Sequence, residues 1–135
     1  MTGEPQPTVE DVMAVAEFRA ALRHFLRRSE RIARESGLTP QRYLLLMMIK
    51  GAPHATEQST VTELSDRLQL AQSTVTELVR RAEDAGLIER EASLRDARVA
   101  FLRLTKEGER RLMRSFTALS TERAQLREAF AHLEP

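Results

Sequence analysis

The hydrophobic period of this sequence changes twice, and the change limits the folds that the chain can adopt. Up to Gly86, apolar residues recur every three or four positions, as on the buried face of an α-helix. The segments 87–91 and 98–104 are instead short and rich in branched and aromatic residues, and the polar run 92–97 joins them. From Thr105 the helical period resumes. The pattern predicts a mainly α-helical protein with one small β-hairpin.

Length and composition limit the chain to one domain and remove several classes of function. With 135 residues, 41% of them apolar, it can build one compact core but not two. It contains no cysteine, which excludes disulfides, thiolate zinc sites and cysteine-based sensing. A net charge of +1 neither favours nor excludes a nucleic-acid partner. There is no secretory signal pattern and no apolar run near the roughly 20 residues of a membrane helix, so we expect a cytoplasmic protein.

Capping residues divide the helical part into segments. Residues 1–8 have the composition of a short disordered tail, and Thr8 with Asp11 fits the start of a long first helix. Gly37 suits its left-handed end. Thr39 followed by Pro40 predicts the start of a second helix, which is apolar all round and is therefore expected in the centre of the fold.

Two short helical segments follow in the middle of the chain. Residues 62–68 and roughly 73–85 each have a helical period, and only residues 69–72 separate them, which is helix-turn-helix spacing. Small polar side chains at the leading end of the second helix suit base edges in a major groove, and arginines a turn later suit phosphates. Any exposed amphipathic helix would share this pattern. The predicted base-contacting residues are Gln72, Ser73, Thr74, Thr76 and Glu77, and the predicted phosphate-contacting residues are Arg80 and Arg81.

The hairpin tip carries arginines that could enter a narrow minor groove. Arg95, Asp96 and Arg98 lie at or beside the tip, and Arg90 is expected on the same side. Asp96 and Arg98 are two residues apart, so on a strand they would share a face and the carboxylate would fix the arginine. The alternative is a solvated salt bridge worth less than about 1 kcal/mol.

These motifs resemble the multiple-antibiotic-resistance regulator (MarR) family. The resemblance lies in residues 64–79, 86–90, 96–98 and 104–108, and it covers most of residues 38–108. It implies a winged helix-turn-helix DNA-binding lobe over residues 37–105, with the hairpin as the wing, between dimerisation helices at 9–36 and 106–135. It also implies a homodimeric transcriptional regulator, usually a repressor, on a pseudo-palindromic operator in double-stranded DNA. A small aromatic or phenolic ligand often weakens binding in the family.

Two positions depart from the family pattern. Ala71 stands where a hydroxyl residue often opens the recognition helix, so its capping is expected to shift towards Ser73 or to be weaker. Leu94, near the wing tip, is unexpectedly apolar. Both departures concern how bases are contacted rather than the fold.

Rows of apolar residues on the two terminal helices predict a dimer. Ser120 is predicted to cap a last short helix within the second row. These rows would remain in water unless they met each other and a partner chain, and a twofold dimer can place its recognition helices about 34 Å apart. The alternative is a monomer in which the terminal helices form a hairpin. The predicted dimerisation residues are Val15, Phe18, Leu22, Leu112, Phe116, Leu119, Leu126 and Phe130.

A ligand pocket is expected from the resemblance alone, where the terminal helices meet the lobe. It would involve Phe25, Tyr43 and Met47 and would take a small, largely apolar ligand with an acidic or phenolic group. Met and aromatic residues at helical spacing are more often plain core, so ordinary packing is the competing interpretation.

Other classes of function are less well supported by the residues. The three histidines are scattered, and there is no nucleophile elbow, phosphate loop or helical zinc motif, so no enzymatic activity and no cofactor are predicted. Two alternatives stay open. One is a winged helix that binds protein instead of DNA, and the other is a metal-responsive regulator with His24 as one ligand.

Overall fold

The computed structural model describes residues 3–133, so the ends of the predicted tail and of the last predicted segment, residues 1–2 and 134–135, lie outside it. Within this range the chain forms six α-helices and one antiparallel hairpin, which confirms the predicted fold class. A single 3-10 turn, Pro53–Ala55, lies in the loop before the third helix. The elements are α1 (Val9–Glu35), α2 (Pro40–Lys50), α3 (Val61–Leu68), α4 (Gln72–Asp84), β1 (Ile88–Ala92), β2 (Ala100–Leu104), α5 (Lys106–Ala118) and α6 (Ser120–Ala131).

Side-chain caps begin α1 and α2 where the sequence predicts them. At α1, the Thr8 hydroxyl accepts from the Asp11 N–H at 3.1 Å, and the Asp11 carboxylate accepts from the Thr8 N–H at 2.8 Å. At α2 and α5 only the hydroxyl takes part: Thr39 accepts from the Arg42 N–H, and Thr105 accepts from the Gly108 N–H. Ser120 does not cap α6: the capping position is Leu119, which has no side-chain acceptor. That prediction was wrong, because α6 begins one residue earlier than the cap pattern suggests.

The core lies where α2 packs between α3, α4, α5 and the hairpin. Leu45, Leu46 and Ile49 of α2 are completely buried, which confirms its central position. Leu44 remains 42% exposed, so one side of the helix reaches the surface, although its sequence is apolar all round. The base of α1 and part of α5 close the same core through Ile32, Ala33 and Leu112.

The wing is a two-stranded ribbon with a third strand reduced to one residue. Ile88 pairs with Leu104 at its base and Ala92 with Ala100 near its tip. Ser59 exchanges two backbone hydrogen bonds with Leu102, at 3.1 and 2.7 Å, and so ties the loop before α3 to the ribbon. The second strand begins at Ala100 rather than at Arg98, so the predicted strand was two residues too long.

The terminal helices α1 and α6 pack against each other within one chain. The rings of Phe18 and Phe130 meet edge to face with centroids 5.9 Å apart. Leu112 and Leu119 are 3% and 1% exposed, so the prediction that they lie on an uncovered apolar row was wrong. They belong to the core of a single subunit, because α5 packs on α2 and α1 as well as on α6.

Much of the predicted dimerisation surface nevertheless stays exposed. Val15 and Phe130 are 49% and 53% exposed, and Phe116 is 38% exposed. Further towards the start of α1, Val9, Val12 and Met13 are 69%, 63% and 62% exposed. The intramolecular hairpin therefore does not cover the apolar side chains at the outer ends of these helices.

Candidate DNA-binding surface

The recognition helix α4 is held to the core along one face. Val75, Leu78, Val79 and Ala82 are all buried, as predicted from their spacing. The N-cap position is Ala71, and no side chain caps the helix. Of the two outcomes expected from Ala71, weaker capping is therefore the one observed.

The opposite face of α4 presents polar side chains at its leading end. Gln72, Ser73, Thr74 and Thr76 are all exposed and make no side-chain hydrogen bond within residues 3–133. Each is free to rotate towards a bound molecule, and amide and hydroxyl groups can both donate and accept hydrogen bonds. The sequence predicted this exposure correctly.

The next turn of α4 carries a compact group of ion pairs. Arg80 donates to Glu77 from Nε at 3.0 Å and from Nη2 at 2.5 Å, and Arg81 Nε donates to the same carboxylate at 3.0 Å. Arg80 Nη1 also donates to Asp84 at 3.1 Å. The guanidinium of Arg80, followed by that of Arg81, lowers the pKa of Glu77 to about 2. Glu77 is therefore fully ionised at neutral pH.

The wing tip is a turn shaped by side-chain hydrogen bonds. The Ser93 hydroxyl accepts from the backbone N–H of Arg95 at 3.2 Å and of Asp96 at 3.4 Å. The Asp96 carboxylate accepts from the backbone N–H of Arg98 at 3.0 Å and from its Nε at 3.2 Å. The two bonds lower the pKa of Asp96, and the bond from the backbone N–H has the larger effect. Leu94 at the same tip is fully exposed.

Asp96 fixes Arg98 as predicted, although the geometry differs from the prediction. Both residues lie in the turn and not on a strand face. The carboxylate accepts hydrogen bonds from both the backbone N–H and the side chain of Arg98. The guanidinium is therefore held in place although 91% of the Arg98 side chain is exposed. The tip therefore presents a fixed cation to its surroundings.

Two further ion pairs support the base of the wing. Arg90 Nε donates to Glu83 of α4 at 2.8 Å, which links β1 to the recognition helix. Arg103 lies 3.7 Å from Glu91 across the ribbon. Arg90 was predicted on this side, whereas Arg103 and its partner were not singled out. Their opposite charges on adjacent strands were the available signal.

A charged cluster lies beneath the wing. The Lys50 ammonium, at the end of α2, donates to Glu57 in the following loop and to Glu109 of α5. These two carboxylates, Glu109 first, raise the pKa of Lys50. The cluster joins three elements on which the ribbon rests.

The three residues predicted to bind a ligand lie close to the core. Tyr43 is 4% exposed, and burial is the main cause that raises its phenol pKa. Met47 packs against the same core, and Phe25 is half-buried on α1. A cleft of about 420 Å³ lies along α1, but none of the three predicted residues lines it. Its lining consists of Arg19, Leu22, Arg23, Leu26, Arg27 and Glu30. The ligand site therefore stays a prediction.

Two features are absent from the residues that the structure describes. Between residues 3 and 133 there is no group of three or more histidine or acidic residues placed to hold a metal ion. None of the helices in that range is long and apolar enough to span a membrane.

Known proteins resemble this chain in sequence and in structure. The family model described as MarR family matches residues 36–99. The MarR family transcription regulator SP03579 is 25% identical, with a TM-score of 0.70 over 87% of this chain and 75% of that one. The regulator Tm0710 from Thermotoga maritima is 26% identical, with a TM-score of 0.63 over 87% and 78%. No curated protein sequence matches the chain.

A structure with DNA shares the fold at lower identity. It is a cysteine-to-serine mutant of MarR from E. coli complexed with operator DNA, 18% identical, with a TM-score of 0.66 over 86% of this chain and 79% of that one. The family match spans α2 to the wing tip, and members of this family are transcription regulators rather than enzymes. The resemblance to the MarR family of transcription regulators predicted from the sequence is confirmed, by the family model over residues 36–99 and by the solved structures that share the fold.

Proposed function

We propose that this protein represses transcription as a homodimer bound to a pseudo-palindromic operator. The observation that carries the proposal is that one lobe presents both a polar, unpaired helix end and a wing tip with a fixed, exposed Arg98. A helix end of this kind suits a major groove, and an exposed guanidinium on a ribbon suits a minor groove. The solved E. coli MarR mutant, complexed with operator DNA, has the same fold.

The predicted contacts divide into three kinds. Gln72, Ser73, Thr74 and Thr76 are proposed to contact base edges, because their donors and acceptors are exposed at the leading end of α4. The proposed backbone contacts, from arginines on α4 and the wing, supply affinity with little sequence preference. They are Arg80, Arg81 and Arg90, whereas Arg95 and Arg98 at the wing tip are proposed to enter the minor groove.

A second copy of this chain is the proposed cover for the exposed apolar side chains of the terminal helices. In this organisation residues 37–105 form the DNA-binding lobe, and residues 9–36 and 106–135 form the dimerisation arms. Val9, Val12 and Met13 share one face of α1, and Val15 lies beside them. Burying such side chains contributes about 1.5–3 kcal/mol each. A symmetric partner would bury the same residues twice.

Release by a small ligand is proposed at the junction of the arms and the lobe. The Ser29 side chain of α1 lies beside the Tyr43 phenol, so a ligand near Phe25, Tyr43 and Met47 would act where α1 meets α2. Calorimetry with a panel of phenols tests this part. Heat of binding together with weaker DNA binding is expected, and no heat with any member would contradict it.

The operator itself is the most informative test of the proposed function. Duplexes selected by the protein from a random pool should contain an inverted repeat, and affinity should fall steeply as salt rises. Replacing Gln72 or Thr76 with Ala should change the bases selected more than it changes binding to scrambled DNA. No binding at low ionic strength, or binding indifferent to salt, would instead favour a winged helix that recognises protein.

A further inference from the structure

Carboxylates accompany most arginines of the proposed DNA-binding surface. On α4 itself, two arginines and two carboxylates form one hydrogen-bonded group, so its formal charges cancel. On the wing, Arg95 is the one arginine with no ion pair among the described residues. The pairs are Arg80 with Glu77 and Asp84, Arg81 with Glu77, Arg90 with Glu83, Arg98 with Asp96, and Arg103 with Glu91.

Glu77 is the carboxylate of this surface that pairs with two arginines. It lies between the base-contacting end of α4 and the two arginines of the next turn, and it binds both of them. Exposed ion pairs of this kind are weak, so a phosphate can displace the carboxylate. The negative charge of Glu77 would nevertheless remain beside the DNA backbone and oppose binding.

Both oxygens of Glu77 already accept hydrogen bonds within the protein. Oε1 accepts from Arg80 Nη2 and Arg81 Nε, and Oε2 accepts from Arg80 Nε. A base contact through this carboxylate, as the sequence suggested, would have to compete with these three bonds. The geometry therefore favours a role towards the arginines over a role towards a base.

We propose that Glu77 is a specificity-determining residue that weakens the phosphate contacts of Arg80 and Arg81, so that α4 binds tightly only where base contacts compensate. This inference rests on the proposed function. It concerns the ratio of operator binding to non-specific binding, which depends on how much affinity the phosphate contacts supply on any sequence. Because Glu77 stays ionised well below neutral pH, the effect should not vary between pH 6 and 8.

The chain provides a matched control on another helix. Glu107 of α5 accepts from Arg110 Nε at 2.9 Å, from Arg110 Nη2 at 2.6 Å and from Arg111 Nε at 2.7 Å. Arg110 and then Arg111 lower its pKa to about 2, as the arginines of α4 do for Glu77. Glu77→Gln and Glu107→Gln therefore remove the same charge from the same arrangement, but only the first does so on the recognition helix.

The test compares binding to two duplexes of equal length, the one selected from the random pool and a scrambled version of it. Fluorescence anisotropy over a range of salt concentrations gives both affinity and salt dependence. Glu77→Gln is expected to raise affinity for the scrambled duplex by roughly tenfold per recovered phosphate contact near 0.1 M salt, and to steepen the salt slope by about one. The selected duplex should gain less, so specificity falls. Glu107→Gln should change neither quantity.

Three other results would overturn the inference, each for a different reason. Equal gains in both variants would show an effect of net charge alone. Weaker binding of Glu77→Gln to the selected duplex, with no gain on the scrambled one, would make Glu77 a base contact. If the unaltered protein binds the selected and scrambled duplexes equally or not at all, the proposed function itself fails, which is distinguishable from the first two results.

Discussion

The lobe and the outer ends of the arms differ in how completely one chain buries their apolar side chains. In the lobe, Leu46 and Val79 are 0% exposed and lie in a continuous core. At the start of α1, Val12 and Met13 are more than 60% exposed although they lie on a regular, capped helix. The lobe is thus closed within one chain, whereas the arms leave apolar side chains uncovered. Folding and assembly should therefore respond to different substitutions.

The largest expected effect is on the lobe alone. Leu46→Ala should lower the free energy of unfolding by about 2–5 kcal/mol, because it removes a fully buried side chain and leaves a cavity. Urea unfolding measures the change. Leu44→Ala on the same helix is the control, since Leu44 is 42% exposed and should cost much less. Equal losses at the two positions would contradict the central burial of α2.

The next effect separates assembly from folding. Val12→Asp should raise the dimer dissociation constant roughly 30- to 900-fold, the equivalent of losing about 2–4 kcal/mol, because each of the two subunits loses the burial of a side chain that is 63% exposed in the single chain. Sedimentation equilibrium measures it. Leu94→Asp makes the same change at the fully exposed wing tip and should leave the dissociation constant unaltered. If Val12→Asp has no more effect than Leu94→Asp, the start of α1 is not an interface.

Removing the wing-tip guanidinium should affect DNA binding without affecting either folding or assembly. Arg98→Ala should weaken operator binding about tenfold for each lost contact at roughly 0.1 M salt. Its melting temperature should be unchanged because the side chain is 91% exposed. Arg114→Ala, an exposed arginine on α5, serves as the control in the same anisotropy titration. Undiminished affinity at an equal melting temperature would exclude Arg98 from the interface.

The smallest expected effect is a gain of stability inside the lobe. Ala71→Ser should stabilise the protein by about 1 kcal/mol, since Ala71 has the extended backbone of an N-cap but no acceptor to offer α4. Thermal unfolding should show a rise of a few degrees with no change in dimer dissociation. Ser73→Ala, which removes no cap, should show no rise. A melting temperature unchanged by Ala71→Ser would mean that the helix end is satisfied in another way.

Features set by neighbouring residues could be predicted from the sequence. The caps at Thr8, Thr39 and Thr105 each involve a residue three positions ahead, so they follow from local spacing. Gly37 and Gly86 end α1 and α4 with φ of +76° and +75°, a conformation that glycine adopts most easily. The hairpin and the buried face of α4 follow in the same way from the spacing of apolar residues along the chain.

Features set by distant residues could not be predicted. The burial of Leu119 depends on how α5 and α6 pack on α1, and the pairing of Ser59 with Leu102 joins positions far apart in sequence. Gln69 adopts a φ of +55° at the end of α3 with no glycine to indicate it. Asp96 and Arg98 have a spacing that fits a strand or a turn equally well.

The candidate site was predictable in exposure but not in pairing. The polar end of α4 and the arginine at the wing tip are where the sequence indicated. Glu77 stands three and four residues before its arginine partners, which is the spacing of helical ion pairs. The sequence was nevertheless interpreted as placing Glu77 in contact with DNA bases. The bond between Arg90 and Glu83 required the fold, because it joins a strand to a helix.

The stoichiometry of the DNA complex tests the central claim most directly, because it depends on the lobe and the arms together. Native mass spectrometry of the protein with its selected duplex should show two subunits on each duplex and, in the absence of DNA, a dimer. One subunit per duplex, or a lone subunit in free solution at working concentration, would contradict the account.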